Sequence, residues 1–327
     1  MRVLVTGGSG FIGSHVVDRL CAHGHEPRIF DLVPSPHHGP RQIETVIGDV
    51  LDSGALRCAM SGCEAVVHLA AVADVDRVLA EPAHAEFVNA RGTEVLLEAA
   101  RVERIPRVVY ASTVWVYGDA PGAEPHDEDS RLGLPRHLYT ATKLAGEMYC
   151  RAYGELYGLE HTILRLGIPY GPRSRPSAVV AAFVRRALAG EPLTIAGDGT
   201  QSRRFVYVED LAEGFVAALT PPAADRIYNL VGEKSITVRS IAETVRALVG
   251  DVRIVYVSPR TADLPGSEVS GVRAARELGW QPTTPFEEGV RRYVAWVTRT
   301  NGIPSAATAS RTNGTAASVL RQEPREL

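Results

Sequence analysis

A glycine-rich segment near the N-terminus constrains the fold of this chain more than any other feature. Residues 2–6 form a short apolar run that predicts a buried strand, and Thr6-Gly-Gly-Ser-Gly-Phe-Ile-Gly13 follows it directly. An amphipathic run over about 11–23 then predicts a helix. A strand, a glycine turn and a helix in this order let the backbone approach a pyrophosphate at the helix N-terminus. We therefore predict a dinucleotide site here, contacted by Gly7, Gly10, Phe11, Ile12 and Gly13.

The alternation of strand and helix continues along the first half of the chain. Further apolar runs predict strands near 27–31, 44–47, 65–69, 107–111 and 161–166. Helical runs near 85–103 and 138–157 separate the later ones. Continuously apolar strands that alternate with helices indicate a parallel sheet covered on both faces. The predicted fold class is α/β, with a Rossmann-type doubly wound parallel sheet.

The pattern of predicted secondary structure changes after Gly171. A turn-rich segment over 172–176 leads into a helix near 178–189 and then into shorter elements up to about Trp296. We predict a Rossmann domain over 1–171, with a return near 205–218, and a smaller C-terminal substrate-binding α/β lobe over 172–298. Residues 299–327 are rich in Ala, Ser, Thr, Asn and Gly, which predicts a flexible tail.

Asp31 indicates which dinucleotide binds. It ends the second predicted strand, 18 residues after Gly13, where a carboxylate can accept both hydroxyls of the adenosine ribose and repel a 2′-phosphate. This favours NAD, although the nearby Arg28 keeps NADP open. Asp49 and Val50 are predicted to meet the adenine edge.

Small residues close the fourth predicted strand. Leu69, Ala70 and Ala71 are predicted to lie beside the cofactor. The alternatives are a capping role for Asp49 and simple core packing for the two alanines.

A tyrosine and a lysine lie four residues apart in the predicted helix 138–157. Tyr139 and Lys143 therefore share one helix face. A nearby ammonium favours the phenolate, so we expect a lowered pKa for Tyr139, as a general base requires. Ser112 and Thr113, at the end of the preceding strand, make the pattern more specific.

In these motifs the chain resembles the extended short-chain dehydrogenases, in particular the nucleotide-sugar epimerase and dehydratase family. The resemblance runs from Met1 to about Trp296, and its ordered motifs are the glycine segment, His68-Leu-Ala-Ala, Asn89-Ala-Arg-Gly-Thr93, Ser112-Thr113 before Val116-Tyr-Gly118, Tyr139-x-x-x-Lys143, Tyr170-Gly-Pro-Arg173, Gly197-Asp-Gly199 and Arg260-x-x-Asp263. It implies that Tyr139 is the base, that Lys143 binds the nicotinamide ribose, and that Thr113 hydrogen-bonds the reacting hydroxyl. It also implies that Ser112, Asn89 and Thr93 lie near the cofactor, with Asn89 on the structural side.

The resemblance places the sugar nucleotide on the second lobe. Arg203 and Arg260 match the family's diphosphate-binding arginines, and Asp263 belongs to the same motif. Taken singly, each arginine could equally be a surface residue. Arg175 is predicted to close over the substrate, its alternative being a loop arginine in solvent.

Two residues depart from the family pattern. Arg204 stands where relatives usually carry Asp, and Ile168 stands where they carry Asn or Thr facing the substrate. The second change removes a polar contact to the sugar.

The residues after Thr113 favour one reaction within the family. The resemblance implies a first step in which Tyr139 removes the C4 hydroxyl proton while NAD accepts the C4 hydride, leaving a 4-keto sugar. Dehydratases of the family carry Asp-Glu after the threonine, and decarboxylases carry Glu at the second of these positions. This chain has Val114-Trp115. The predicted reaction is therefore C4 epimerisation of a UDP-sugar.

Several alternatives to this function stay open. The sugar is predicted to be UDP-glucuronate, converted to UDP-galacturonate, or otherwise UDP-glucose, converted to UDP-galactose. The alternative enzymes are an NDP-4-keto-sugar reductase and a UDP-glucuronate decarboxylase. A non-catalytic NAD-binding regulator is a more distant alternative.

Composition limits the remaining classes. The net charge of −3 predicts no binding to nucleic acid or to an anionic membrane, and no apolar stretch approaches the ~20 residues of a membrane span. The four cysteines form no CxxC pair, which favours a cytoplasmic protein with buried thiols and no metal. The resemblance also predicts a homodimer formed through the helices near 85–103 and 138–157.

Overall fold

The computed structural model describes residues 1–118, 120, 125–259 and 267–300. Its strands are β1 Arg2–Thr6, β2 Glu26–Asp31, β3 Thr45–Ile47, β4 Ala65–His68, β5 Arg107–Thr113, β6 Glu160–Leu166, β7 Ile168–Tyr170, β8 Leu193–Ala196, β9 Ser202–Tyr207, β10 Arg226–Leu230, β11 Ser235–Thr237 and β12 Ile254–Val257. Its helices are α1 Phe11–Ala22, α2 Ser53–Met60, α3 Val75–Ala80, α4 Pro82–Glu86, α5 Gly92–Val102, α6 Leu138–Tyr157, α7 Val179–Leu188, α8 Val208–Ala217, α9 Val238–Val249, α10 Val272–Leu278 and α11 Phe286–Thr300.

Seven parallel strands form the large sheet, in the order β10-β6-β5-β4-β1-β2-β3. The strand order reverses between β1 and β4, so the loops that follow these two strands diverge and leave a crevice at their carboxyl ends. Ligands of doubly wound sheets bind at such a point. The glycine segment follows β1 and therefore lies at this crevice, as the sequence predicts.

The two faces of the sheet carry separate cores because successive side chains of a strand point to opposite sides. On β1, Val3 and Val5 belong to one cluster of buried residues and Leu4 to the other. Helices α1 and α8 cover the first face. Helices α2, α5 and α6 cover the second. The site is thus built on a rigid, doubly covered sheet.

The smaller lobe has its own two sheets and its own core. Strands β11, β9 and β7 form one sheet, and β12 pairs with β8 in the other. Helices α7, α9 and α11 pack around them. Three elements from this part of the sequence lie with the large sheet instead: α8 packs on α1, β10 forms the edge strand beside β6, and α10 packs on β10. Within residues 205–218, α8 thus lies with the large sheet, whereas β9 belongs to a sheet of the smaller lobe.

Two expectations from the sequence need correction. The helical run near 85–103 is divided by a π-helical turn over Phe87–Arg91, which separates α4 from α5. Cys21 and Cys58 are exposed, and only Cys63 and Cys150 are buried. Within the described residues, no helix is both long enough and apolar enough to cross a membrane.

Candidate active site

The glycine loop has no room for side chains at its turning points. Gly7 has φ +71°, a conformation that favours glycine. A Cβ on Gly13 would lie 2.2 Å from the carbonyl oxygen of Gly7. Gly10 caps α1, so the start of this helix faces the crevice with bare backbone. The loop therefore fits a dinucleotide pyrophosphate, which needs close backbone approach and a helix N-terminus.

Asp31 lies beside this loop at the end of β2. Its Oδ2 accepts a hydrogen bond from the Ser9 N–H at 3.0 Å, and its Oδ1 accepts one from the Leu32 N–H at 2.8 Å. The guanidinium of Arg28 is bound elsewhere, to Glu44 and to backbone carbonyls of residues 59 and 61. Arg28 is thus not free to bind a 2′-phosphate, and the carboxylate of Asp31 fits the ribose of NAD.

The residues after β3 have partly structural roles. Asp49 is exposed, and its Oδ1 accepts a hydrogen bond from the Leu51 N–H at 3.0 Å, as expected of a capping aspartate. Val50 is buried against Gly92, where an added Cβ would lie 2.8 Å from a Val50 methyl group. Their contacts with adenine stay a prediction.

The segment after β4 closes against the glycine loop. The Leu69 and Ala70 N–H groups both donate to the Thr6 hydroxyl at 3.3 Å. A Cβ on Gly7 would lie 2.8 Å from the Ala70 nitrogen, so the two segments touch through backbone. Ala71 is partly buried beside them. These small residues leave the crevice open to a flat ligand.

Lys143 is held in position by the strand in front of it. Its Nζ donates to the Ala111 carbonyl at 2.8 Å, and its side chain is buried. Burial lowers the pKa of Lys143 to about 8. The ammonium thus lies between α6 and β5, one turn along the helix from Tyr139.

The expected lowering of the Tyr139 pKa is wrong for this structure. Burial raises the pKa of Tyr139 to about 12, and the Arg175 guanidinium acts in the opposite direction. The ring packs on a small cluster formed by Val72, Val78 and Ala85. Desolvation of the phenolate outweighs the effect of the Arg175 guanidinium, and the Lys143 ammonium donates to the Ala111 carbonyl.

Ser112 and Thr113 end β5 beside this pair, with different partners. The Ser112 hydroxyl donates to the Glu147 carboxylate at 2.6 Å, so its proton is not available to a cofactor. The Thr113 hydroxyl accepts a hydrogen bond from the Trp115 N–H at 3.3 Å. Its own proton remains available, which suits the predicted contact with a sugar hydroxyl.

Two aromatic residues pack near Tyr139, and one of them, His137, has no role in the sequence interpretation. The Trp115 ring lies edge-on to His137, with centroids 4.6 Å apart, and edge-on to Tyr139 at 6.4 Å. His137 stacks on Tyr139 at 6.2 Å and caps α6 by accepting the Thr140 N–H. The position of His137 at a helix start was the only signal that could have indicated it.

The predicted substrate residues of the second lobe are only partly brought to the site. Arg175 reaches the first domain, where its Nη1 donates to the Asp74 carboxylate at 3.1 Å and to the Ala73 carbonyl at 3.4 Å. Arg203 lies partly buried on β9, and its Nη1 donates to the Ser202 carbonyl at 2.7 Å. Arg260 and Asp263 lie outside the described residues.

The two departures from the family pattern have structural explanations. Arg204 pairs with Glu268 at 3.0 Å and also donates to the carbonyls of Gly232 and Glu233. It therefore ties β9 to neighbouring segments of the lobe. Ile168 packs against the core of the lobe.

Asn89 lies on the structural side, inside the π-helical turn. Its side chain accepts the Val72 N–H at 2.7 Å and donates to the Val72 carbonyl at 3.0 Å. It thereby orders the loop after β4, which borders the site.

Comparison with known proteins agrees with this geometry. The model of the NAD dependent epimerase/dehydratase family matches residues 3–231. The chain is 36% identical over 309 residues to the UDP-glucose 4-epimerase of Mycolicibacterium smegmatis, covering 90% of this chain and 97% of that protein. The chain belongs to the NAD-dependent epimerase/dehydratase family.

Solved structures extend the match to the whole fold. The UDP-glucose 4-epimerase of Thermotoga maritima with UDP-glucose has a TM-score of 0.87 at 32% identity, covering 92% of this chain and 100% of that one. The UDP-glucose 4-epimerase of Thermus thermophilus with NAD has a TM-score of 0.83 at 35% identity, covering 90% and 98%. The predicted Rossmann-type fold, the NAD cofactor and an enzyme of the nucleotide-sugar 4-epimerase type are confirmed.

Proposed function

We propose that this protein inverts C4 of a UDP-sugar through a bound 4-keto intermediate. The observation that carries the proposal is that the helix bearing Tyr139 and Lys143 is tied to the strand that ends in Thr113. Tyr139 and Lys143 share one face of α6, and Lys143 is bonded to the strand that ends in Thr113. Such a group can remove a proton from a sugar hydroxyl above a nicotinamide.

Each of the three side chains has a separate task. The Tyr139 phenolate removes the C4 hydroxyl proton and returns it after the sugar has turned over. The Thr113 hydroxyl orients the C4 oxygen, and Lys143 holds the nicotinamide ribose with its fixed ammonium. Bound NAD would supply the acceptor and donor for the C4 hydride, and the positive charge of its oxidised form would favour the phenolate of Tyr139.

The surroundings of Thr113 favour epimerisation over elimination or decarboxylation. Both of those reactions need an acid or base next to the 4-keto sugar. Here Val114 and Trp115 occupy the following turn, and Trp115 packs on His137 and Tyr139. The Trp115 indole can confine the keto sugar but, unlike the carboxylates of the dehydratases and decarboxylases, cannot transfer its protons.

Arg175 supports a hexuronate as the sugar. It is close enough to Tyr139 to lower the phenol's pKa, and it pairs with Asp74 at the start of α3. A sugar carboxylate could replace Asp74 as its partner, because arginine binds carboxylates through paired donors. We therefore propose UDP-glucuronate as the first substrate to test and UDP-glucose as the second.

The test is incubation of the purified protein with UDP-glucuronate and UDP-glucose, followed by separation of the C4 epimers. We expect epimerisation without net change in NADH absorbance, since the cofactor is regenerated in each turnover. Steady oxidation of added NADH would instead identify a 4-keto-sugar reductase, and release of carbon dioxide a decarboxylase. Binding of NAD without conversion of any nucleotide sugar would support the alternative of a non-catalytic NAD-binding regulator.

We also propose a homodimer formed through α5 and α6. Several large apolar side chains of these helices are exposed: Val102, Met148, Tyr149, Leu156 and Tyr157. A patch of this kind marks an association surface. Sedimentation at micromolar concentration should give twice the 35.2 kDa chain mass, and a Leu156→Glu variant should sediment as a monomer.

A further inference from the structure

We propose that His68 is a positioning residue that couples the glycine loop to the catalytic tyrosine through a chain of buried hydrogen bonds. The effect on turnover rests on the proposed function, whereas the coupling itself does not. His68 ends β4 and is 1% exposed. It contacts Thr6, the first residue of the glycine segment, and reaches Tyr139 only through other residues.

The direction of the first hydrogen bonds follows from counting donors. The Thr6 hydroxyl oxygen already accepts the N–H groups of Leu69 and Ala70. Its single proton is therefore donated to Nδ1 of His68, at 2.7 Å. Because Nδ1 accepts, a neutral imidazole must carry its proton on Nε2.

The next bonds continue in the same direction. His68 Nε2 donates to the Thr93 hydroxyl at 3.1 Å, and that hydroxyl donates to the Asn89 carbonyl at 2.6 Å. Burial and the Lys143 ammonium lower the pKa of His68 to about 3, so the imidazole is neutral near pH 7. A protonated imidazole would face the Thr6 proton and break the order.

Asn89 passes the chain to the catalytic helix. Its Nδ2 donates to the Thr142 hydroxyl at 3.1 Å, and Thr142 donates to the Tyr139 carbonyl at 2.8 Å. Asn89 itself is fixed by its two bonds to the Val72 backbone. The chain thus runs from the residue before Gly7 to the backbone of the catalytic tyrosine.

A second contact, made by Tyr110, also holds α6 against the buried layer that contains His68. The Tyr110 ring lies 5.8 Å from the His68 ring, and the Tyr110 hydroxyl donates to the Lys143 carbonyl at 3.2 Å. A Cβ on Gly146 would lie 2.1 Å from that hydroxyl oxygen, so α6 can approach only because this residue is glycine. The helix therefore rests directly on the polar layer that contains His68.

Buried polar chains of this kind are stable only when every group has a partner. This series of hydrogen bonds has one consistent set of donors and acceptors. A shift of the glycine loop therefore leaves groups near Tyr139 unpaired, and a shift of Tyr139 leaves groups near the glycine loop unpaired. Under the proposed function, NAD would lie between the glycine loop and Tyr139. We infer that cofactor affinity and tyrosine placement depend on each other through His68.

The experiment is a double-mutant cycle with His68→Phe and Thr142→Val, each measured for NAD affinity by titration of the NAD-free protein and for kcat and KM. We expect each single variant to weaken NAD binding and lower kcat by about tenfold, with the KM for the UDP-sugar unchanged. The double variant should have an NAD affinity and a kcat no lower than those of the more impaired single variant, because both substitutions break the same series of hydrogen bonds. Thr142→Ser and His68→Gln keep the hydrogen-bonding groups and should recover most of the loss.

The matched control is Thr162→Val on β6. It removes a buried hydroxyl that donates to the Ala223 carbonyl at 2.7 Å and takes no part in the series of hydrogen bonds through His68. It should leave NAD affinity and kcat unchanged. Multiplicative losses in the cycle, or Thr142→Ser behaving like Thr142→Val, would overturn the proposal. If His68→Phe does not fold, Thr93→Val replaces it in the cycle. If the parent converts no UDP-sugar, the NAD titrations alone still decide the coupling.

Discussion

Glu147 and Arg165 form a fully buried ion pair behind the end of β5. The two side chains are 0% and 1% exposed, and the guanidinium donates to both carboxylate oxygens, at 3.0 and 2.8 Å. Ser112 donates to the same carboxylate, and the Tyr117 hydroxyl accepts from the same guanidinium at 2.9 Å. The pair thus joins α6, β6 and the segment that carries Thr113.

Breaking this pair on one side should destabilise the protein strongly. Glu147→Met leaves the Arg165 charge buried without a counter-charge, which costs about 3–5 kcal/mol in unfolding free energy. The double variant Glu147→Met/Arg165→Met should be more stable than Glu147→Met alone. Urea denaturation measures both, and Arg57→Gln, which breaks an exposed pair with Glu103, should change little. A Glu147→Met protein as stable as its parent would contradict the assignment.

Tyr139→Phe should remove most of the activity without removing the cofactor. Loss of a general base lowers kcat by about 10²–10⁴-fold. NAD affinity should be unchanged because the ring still packs on the Val72 cluster. Epimer separation and NAD titration check the two parts. Tyr256→Phe, at an exposed position of β12, is the control and should retain parental activity.

Removal of the Arg175 charge should move the pH profile upwards. Burial raises the pKa of Tyr139, and the Arg175 guanidinium opposes this by favouring the phenolate. Without that cation the phenolate is less stable, so the pKa rises further and the ascending limb of kcat/KM shifts to higher pH. Arg175→Leu should show the shift, and Arg175→Lys, which keeps the charge, should not. A limb that moves to lower pH in Arg175→Leu would be inconsistent with this assignment.

Gly13→Ala should abolish NAD binding. The new methyl carbon would lie 2.2 Å from the Gly7 carbonyl oxygen, so the loop and the start of α1 must separate. The pyrophosphate then loses its backbone contacts. NAD titration should show no saturation, whereas Gly39→Ala should bind normally, since its nearest contact would be at 3.7 Å to a flexible glutamine.

Local pattern was sufficient for some elements and for the cofactor loop. The helix predicted near 138–157 is observed as Leu138–Tyr157, because its apolar spacing and the glycine at its end are local signals. The strand over Arg226–Leu230 joins the large sheet, which no local pattern indicates. The raised pKa of Tyr139 depends on desolvation by distant segments, and the hydrogen-bonded role of His68 depends on residues spread over 1–142. These features require the folded chain.

The position of β10 has a consequence for how the two lobes relate. The chain leaves the large sheet after β6 and forms β7, β8 and β9 in the smaller lobe. It then returns to the large sheet through α8 and β10 before it leaves again. A fragment that stopped at Gly171 would lack both the strand that covers β6 and the helix that covers α1. Each lobe is therefore built from separate stretches of sequence, so neither lobe can be exchanged between relatives as one continuous segment.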